Sequence, residues 1–309
     1  MKADIFRIQK DYLPDQAGLY TVVFFNGCPL RCIWCSHPMP DSHPTEIEWD
    51  SRDCLYCHLC ERNCPTGSLV FKDHVLTYHP DTCSFCRTCE NNCPSRMLHF
   101  RDKLFTFAEA RSRILAEAHL YQKGGGIFLS GVSTHEQAAF ASDLFKTCRE
   151  MGIRTFFETT GFLRQLDFDR VLRYSDHVML DLKHYNDAKH VRYTGVSNVT
   201  ILANLDTAVA SGVDTAVRIS VIPGINDSVF DAMSFGTLLK DHGVQQVFIC
   251  DFDTVSLEKF GDYFTLYHNP DYPAESVSEN TLLRYADQLT RFGIAVRMPQ
   301  VNAPFAERL

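Results

Sequence analysis

Tyr20-Thr21-Val22-Val23-Phe24-Phe25-Asn26-Gly27-Cys28-Pro29-Leu30-Arg31-Cys32-Ile33-Trp34-Cys35 runs from a β-branched and aromatic stretch straight into three closely set thiols. The stretch Tyr20 to Phe25 is nearly all apolar, as expected of a parallel strand covered on both faces. Three thiolates this close together do not pair off as disulfides. They suit three irons of a four-iron, four-sulfur cluster and leave the fourth iron open, where a substrate can dock. Carried on a loop after a barrel strand, such ligands point into the barrel mouth. The competing reading of this stretch alone is a structural zinc knuckle with His37 as the fourth ligand.

Residues 50 to 100 carry a denser cysteine pattern with little helical or strand period. Cys54-x2-Cys57-x2-Cys60-x3-Cys64-Pro65 is followed by Cys83-x2-Cys86-x2-Cys89-x3-Cys93-Pro94, so one motif occurs twice. The pair resembles the bacterial two-cluster ferredoxin module, in which the fourth cysteine of each run crosses to the other cluster. That resemblance assigns Cys54, Cys57, Cys60 and Cys93 to one cluster, and Cys83, Cys86, Cys89 and Cys64 to the second. Each proline fixes the chain where it turns back after the crossing cysteine. Two zinc sites are the alternative.

The chain has 309 residues, 45% of them hydrophobic, enough to bury one large domain with an insert, or two domains. Its net charge of −8 comes without a long basic run, which argues against nucleic acid as a partner. No apolar stretch reaches the roughly 18 residues of a membrane span, and Met1-Lys2-Ala3-Asp4-Ile5-Phe6-Arg7 is not a signal peptide. The chain therefore reads as cytoplasmic. Most of its 13 cysteines fall into metal-ligand spacings, so metal binding is expected and not a disulfide scaffold. Oxygen destroys clusters with an open iron, which points to an anaerobic setting.

Residues 1 to 19 lead into the first strand, with a turn expected at Asp15-Gln16-Ala17-Gly18. From Thr106 onward β and α patterns alternate. Thr106-Phe107-Ala108-Glu109 reads as a capping box for a helix to about Gln122. A strand at Ile127-Phe128-Leu129 precedes a helix from about His135 to Met151, where Ala141, Leu144, Phe145 and Cys148 recur at helical spacing; Cys148 reads as a core thiol. Further helices are expected near 200–211, 226–242 and 279–292, and strands near 246–250 and 294–298.

Between them, three strands show a telling parity. Val178, Leu180 and Leu182 alternate with Met179, Asp181 and Lys183, while Val217, Ile219 and Val221 alternate with Arg218 and Ser220; in the third, Arg154, Phe156 and Glu158 share a face. In a barrel the charged faces point inward and imply a polar ligand at the C-terminal strand ends. The alternative is a structural ion network closing the barrel bottom. Cys250 has lumen parity, though a core thiol is the plainer reading.

Taken with the cysteine loop and the insert, the chain resembles the radical S-adenosylmethionine (SAM) enzymes. More narrowly, it resembles the glycyl-radical-enzyme activating enzymes of the pyruvate formate-lyase-activating-enzyme-like kind, in the subgroup with a two-cluster ferredoxin insert. The resemblance runs through Gly27 to Cys32, Asp181-Leu182-Lys183, Tyr193-Thr194-Gly195-Val196-Ser197-Asn198, and Arg218 with Val221-Ile222-Pro223-Gly224-Ile225-Asn226-Asp227. It implies an α/β fold, a partial (β/α)6 TIM-like radical SAM barrel over 1–49 and 101–309, with the ferredoxin-like module at 50–100.

The resemblance also implies roles. Cys28, Cys32 and Cys35 hold the SAM-binding cluster, and with Lys183 form the catalytic set. Trp34, Cys35, Ser36, Gly131, Glu158, Asp181, Leu182, Lys183, Arg218 and Asp253 contact SAM, with Trp34 against the adenine and Arg218 on the carboxylate. Glu158-Thr159 and Met179 to Asp181 fall where the family can hold a monovalent cation. Three 4Fe–4S clusters, SAM, reduced ferredoxin or flavodoxin as electron donor, and a glycyl radical enzyme as protein substrate complete the expectation. The activity implied is reductive cleavage of SAM and removal of hydrogen from a backbone glycine of the partner. The chain departs from the family pattern at Ser130-Gly131-Val132-Ser133, where Ser-Gly-Gly-Glu is usual, at Asp15 to Tyr20, at Thr160 and at Asp253. The first departure motivates an alternative: an iron–sulfur electron-transfer protein that has lost SAM cleavage. A radical SAM enzyme acting on a small molecule is a third reading.

Overall fold

The computed structural model of the chain describes residues 1–12, 19–34, 47–79, 82–83, 88–100, 103–251 and 277–298. It divides into two compact units, Met1–Met39 with Phe105–Leu309, and Pro40–Leu104. In chain order the strands are β1 Lys2–Tyr12, β2 Leu19–Phe25, β3 Ile47–Trp49, β4 Leu69–Lys72, β5 Val75–Tyr78, β6 Leu98–Phe100, β7 Lys103–Thr106, β8 Gly126–Ser130, β9 Arg154–Thr159, β10 His177–Asp181, β11 Asp214–Val221, β12 Gln246–Asp251 and β13 Ala295–Arg297. Helices are α1 Leu59–Arg62, α2 Thr88–Asn91, α3 Phe107–Ala116, α4 His135–Glu150, α5 Gln165–Leu172, α6 Asp187–Thr194, α7 Val199–Ala210, α8 Val229–Asp241 and α9 Glu279–Thr290.

The first unit is a mixed α/β fold around one sheet in the order β13-β12-β11-β10-β9-β8-β2-β1-β7. From β2 to β13 every pairing is parallel, and helices fill the crossovers as parallel pairing requires. One face packs on the helices. Val23, Ile127, Leu129, Phe157 and Val178 meet α4 and α5 through Phe140, Leu144, Phe145 and Phe168, while Leu180, Val217, Ile219 and Ile249 meet α7, α8 and α9. The opposite face carries Tyr20, Val22, Phe24, Phe128 and Phe156 on the β2 side. Cys148 is fully buried in the helix-side core, where burial pushes its thiol up to about 12.

Several sequence expectations change. Residues 2–12 form a strand antiparallel to β2, with a register shift between Ile5 and Arg7, and β7 extends the sheet beyond it. The expected turn at Asp15 to Gly18 lies outside the described residues. The Thr106 capping box is present, but α3 stops at Ala116 and a 3-10 turn over Ala118–Lys123 carries the chain on to Gly124. Helix α8 starts later than Asn226, on the capping hydroxyl of Ser228. α5 and α6 were not anticipated.

The second unit holds two small antiparallel pairs, β3 with β6 and β4 with β5, in a stretch whose sequence showed little period. The cysteine repeat is a structural repeat as well: α1 and α2, and β4 and β6, stand at the same offset in the chain as Cys54 and Cys83. Cys60, Leu69, Cys89 and Leu98 form its buried centre.

Candidate active site

The alternation holds at the C-terminal ends of β9, β10 and β11, where the charged residues share the sheet face turned away from the helices. Asp181 and Arg218 stand opposite each other in register, and Glu158 pairs with Met179 one step earlier. Arg218 Nε donates to Asp181 Oδ1 and Nη2 to Oδ2, both at 2.6 Å, a two-pronged contact suited to the guanidinium fork. The same Nη2 reaches Glu158 Oε1, and Lys183 Nζ donates to Asp181 Oδ2 at 3.1 Å.

All four groups are largely withdrawn from water. Burial alone would push the Asp181 carboxyl up; the charges of Arg218 and Lys183 outweigh it and hold the carboxyl well below the usual range. Burial would lower the Lys183 ammonium, and the Asp181 and Cys32 charges outweigh that and raise it. The cluster therefore contributes its full stability above the ordinary carboxylate pKa of about 4 and below the ordinary lysine pKa of about 10.4. It is lost as pH falls through the depressed Asp181 value or rises through the raised Lys183 value. Glu158 Oε2 is buried with no hydrogen-bond partner. Two cations and an unsatisfied carboxylate oxygen suit an amino-acid zwitterion, whose carboxylate would meet Arg218 or Lys183 and whose ammonium or a companion cation would meet Glu158.

The cysteine loop is fixed to the same end of the sheet. Arg31 N–H donates to Thr194 C=O at 2.7 Å and Ile33 N–H to Tyr193 C=O at 3.1 Å, so the Tyr193-Thr194-Gly195 segment holds the loop from below. Trp34 is buried against Ile222, with Tyr193 tilted at 6.0 Å. Cys28 and Cys32 are partly exposed on this loop. Cys35, Ser36 and Asp253 lie outside the described residues, as does His37.

Two asparagines from the motif segments act as clamps. Asn198 donates through Nδ2 to the carbonyls of His184 and Tyr185, at 3.2 and 3.0 Å. Asn226, fully buried, accepts from Ile222 N–H at 2.6 Å and donates to Ser220 C=O at 2.9 Å, closing the turn that places Ile222 under Trp34. Asn226→Ala leaves the buried Ile222 N–H and the half-buried Ser220 C=O without this partner, and we expect it to cost about 2 to 4 kcal/mol. Urea unfolding should show a lower midpoint with an unchanged slope.

At the departure from the family pattern, Gly131 has φ +82°, and a Cβ there would stand 2.8 Å from Phe25 C=O. Val132 turns its side chain into the helix-side core and is 4% exposed. Its branched side chain thus goes away from the sheet ends, and among the described residues it is not one of those with positive φ. Ser133 and its neighbour brace the cysteine loop: Ser133 N–H and Oγ both reach Gln137 Oε1, and Gln137 Nε2 donates to Asn26 C=O at 2.6 Å. Gln137 was not foreseen, although it also completes the capping box with Thr134 at the start of α4.

Cys250 is not a helix-side core thiol. It lies opposite Ser220 in register, with Sγ 3.5 Å from Ser220 Oγ, on the face of Arg218. Burial raises its thiol and the Arg218 charge draws it back.

Within the second unit the thiols approach in the crossed sense. Cys60 has Cys93 and Cys57 as neighbouring thiols, and Cys89 has Cys64 and Cys83. Backbone N–H groups already point at sulfur: Tyr56 N–H at Cys54 Sγ, 3.4 Å, and Ser68 N–H at Cys64 Sγ, 3.2 Å. These donors and the crossing suit thiolates that share metal clusters. Cys86 lies outside the described residues. Among those described, no three His, Cys, Asp or Glu side chains form a closed site for a single metal ion.

A family model described as the radical SAM superfamily matches residues 80–235. The choline trimethylamine-lyase activating enzyme of Oleidesulfovibrio alaskensis is 34% identical over 234 residues, covering 74% of this chain and 76% of its own. The isethionate sulfite-lyase activating enzyme of Nitratidesulfovibrio vulgaris is 33% identical over 247 residues, 77% of this chain and 80% of its own. The trans-4-hydroxy-L-proline dehydratase activating enzyme of Clostridioides difficile is 27% identical over 271 residues, 86% and 90%. No helix among the described residues is long and apolar enough to cross a membrane. A charged cluster at adjoining strand ends, a cysteine loop tied beside it, and relatives matched over three quarters of their length agree: the chain belongs to the radical SAM superfamily and, within it, to the glycyl-radical-enzyme activating enzymes.

Proposed function

We propose that the chain activates a partner glycyl radical enzyme: SAM is cleaved reductively, hydrogen is taken from a backbone glycine of the partner, and 5′-deoxyadenosine and methionine are released. The observation that carries this reading is the Asp181, Arg218, Lys183 and Glu158 cluster, buried at the strand ends on the face opposite the helices. A 4Fe–4S cluster at Cys28, Cys32 and Cys35 would supply one electron and an open coordination position. The remaining work falls to the protein's own side chains. Arg218 and Lys183, both held by Asp181, orient the methionine carboxylate; the unpartnered Oε2 of Glu158 takes the ammonium or a monovalent cation. Trp34 offers a large flat surface beside the cysteine loop for the adenine. Gly131 keeps the backbone clear next to Phe25.

The sheet in this reading is a partial (β/α)6 barrel. The insert carries two further 4Fe–4S clusters in the ferredoxin manner, fed by reduced ferredoxin or flavodoxin. Supporting the insert reading are the crossed approach of the thiols and the structural repeat around them. The electron-transfer alternative loses its motive at Val132, whose side chain packs into the core and not toward the site.

The test is anaerobic reconstitution, reduction with dithionite, and assay of 5′-deoxyadenosine and methionine. With a candidate glycyl radical enzyme added, a doublet electron-spin signal should appear. Fully iron-loaded protein that yields no 5′-deoxyadenosine would leave the electron-transfer reading. Cleavage with no glycyl signal from any partner, but with turnover of a small molecule, would overturn the partner assignment.

A further inference from the structure

The two halves of the insert repeat each other in backbone, which makes a chemical difference between them legible. After the first crossing cysteine the chain reads Cys64-Pro65-Thr66-Gly67-Ser68-Leu69; after the second it reads Cys93-Pro94-Ser95-Arg96-Met97-Leu98. Gly67 and Arg96 take the same left-handed conformation, with φ of 64° and 56°. Leu69 and Leu98 are both buried. A hydroxyl lies 3.6 Å from each crossing sulfur, Thr66 beside Cys64 and Ser95 beside Cys93. Ser68 and Met97 each turn a backbone N–H toward the sulfur.

The halves part at the side chain of that last residue. Ser68 is fully buried, and its Oγ lies 2.6 Å from Thr66 Oγ1 and 2.9 Å from Thr82 Oγ1. Thr82 Oγ1 in turn lies 3.2 Å from His79 C=O. Cys64 is thus the end of a chain of three linked hydroxyls, whereas the corresponding position near Cys93 is a thioether with no proton to give. A metal-bound sulfur only accepts, so the Thr66 hydroxyl donates to it and Ser68 donates to Thr66, and Thr82 closes the chain by turning its single proton to Ser68 Oγ in place of His79 C=O. Linked donors polarise one another.

We propose that the two insert sites are electronically unequal, and that the site completed by Cys64 takes an electron at the higher potential because the Thr66, Ser68 and Thr82 hydroxyls stabilise the added negative charge. The inference rests on the two-cluster reading of the insert. Each site gains one electron from an external one-electron reductant, with no bond made or broken. Hydrogen bonds to sulfur raise the potential of an iron–sulfur site.

The experiment uses the full chain with Cys28, Cys32 and Cys35 replaced by alanine, so that only the insert signals remain. After anaerobic loading, iron and sulfide are counted and the protein is titrated with dithionite under electron-spin detection. Two midpoints are expected. Ser68→Ala should move the higher one to more negative potential and leave the lower in place; Thr82→Val, at an exposed position, should do the same to a smaller extent. Met97→Ser should raise the lower midpoint and narrow the gap. A single shared midpoint, movement of the lower one in Ser68→Ala, or equal movement of both would overturn the inference while the clusters stand. Loading of far fewer than about 8 irons in this background would remove the two-cluster reading, and the inference with it.

Discussion

Arg218→Met is expected to lose SAM binding and to unfold at markedly lower denaturant, by about 3 to 5 kcal/mol, the usual consequence of removing one partner from a buried ion pair. Arg218 holds both oxygens of Asp181 and one of Glu158, and without it a single ammonium, Lys183, faces two buried carboxylates. One of those carboxylates then takes up a proton more readily than in the unfolded chain. A carboxyl whose folded pKa is raised costs stability above its ordinary value near 4, and the cost disappears as pH falls through the raised value. The deficit of the variant should therefore be larger at pH 8 than at pH 5. In the parent protein this cluster adds no pH dependence over that interval, since its Asp181 carboxyl is held low and its Lys183 ammonium high, while the imidazoles of His184 and His190, held low by burial, add the same slope to both proteins. Guanidinium unfolding of both proteins at the two pH values provides the check. A deficit independent of pH would mean that Arg218 acts through packing alone. Arg218→Lys restores the charge but not the fork, and should recover part of the stability and little of the SAM affinity.

The second large effect belongs to the cysteine loop. With Cys28, Cys32 and Cys35 all changed to alanine, iron after anaerobic loading should fall from about 12 atoms per chain to about 8. Formation of 5′-deoxyadenosine should drop below detection, and the insert should keep its iron. The loop is secured by backbone bonds to Tyr193 and Thr194 and by the Trp34 contact with Ile222, not by the thiols, so the unfolding midpoint should barely move. A variant that loses iron from the insert as well, or one that still cleaves SAM, would contradict the assignment of these three residues. Zinc at the loop in the parent protein would do the same.

Much of the catalytic end could be read from side-chain alternation. In β10 and β11 the apolar residues leave one face to Asp181 and Arg218, and the same rule brings Glu158 beside them. The capping hydroxyl of Thr106 likewise marks a helix start by local chemistry alone. β1 escaped because the register shift between Ile5 and Arg7 breaks its alternation halfway, so no period of two survives over its length. α5 and α6 offer barely two turns each, too few for a helical period to separate from chance. Asn226 misled in the other direction: an asparagine before an apolar run looks like a helix cap, yet here its amide is spent on the β11 turn and Ser228 takes the capping role. Cys250 was ambiguous because its face-mate Phe248 is itself buried, so polarity does not tell the two faces of β12 apart. Within the insert, strands of three or four residues are too short to announce themselves, and the cysteine spacing was the only usable signal.

The place of the insert along the chain has a consequence for how such proteins can diversify. Residues 40–104 fall wholly within the connection from β2 to β8, and those two strands are immediate parallel neighbours. Any parallel neighbour pair needs a long return path in any case, so extra sequence there is carried without reordering a single strand. Lengthening, shortening or exchanging that return path would leave Asp181 and Arg218 side by side, and an accessory unit can be added or dropped while the strand ends keep their frame.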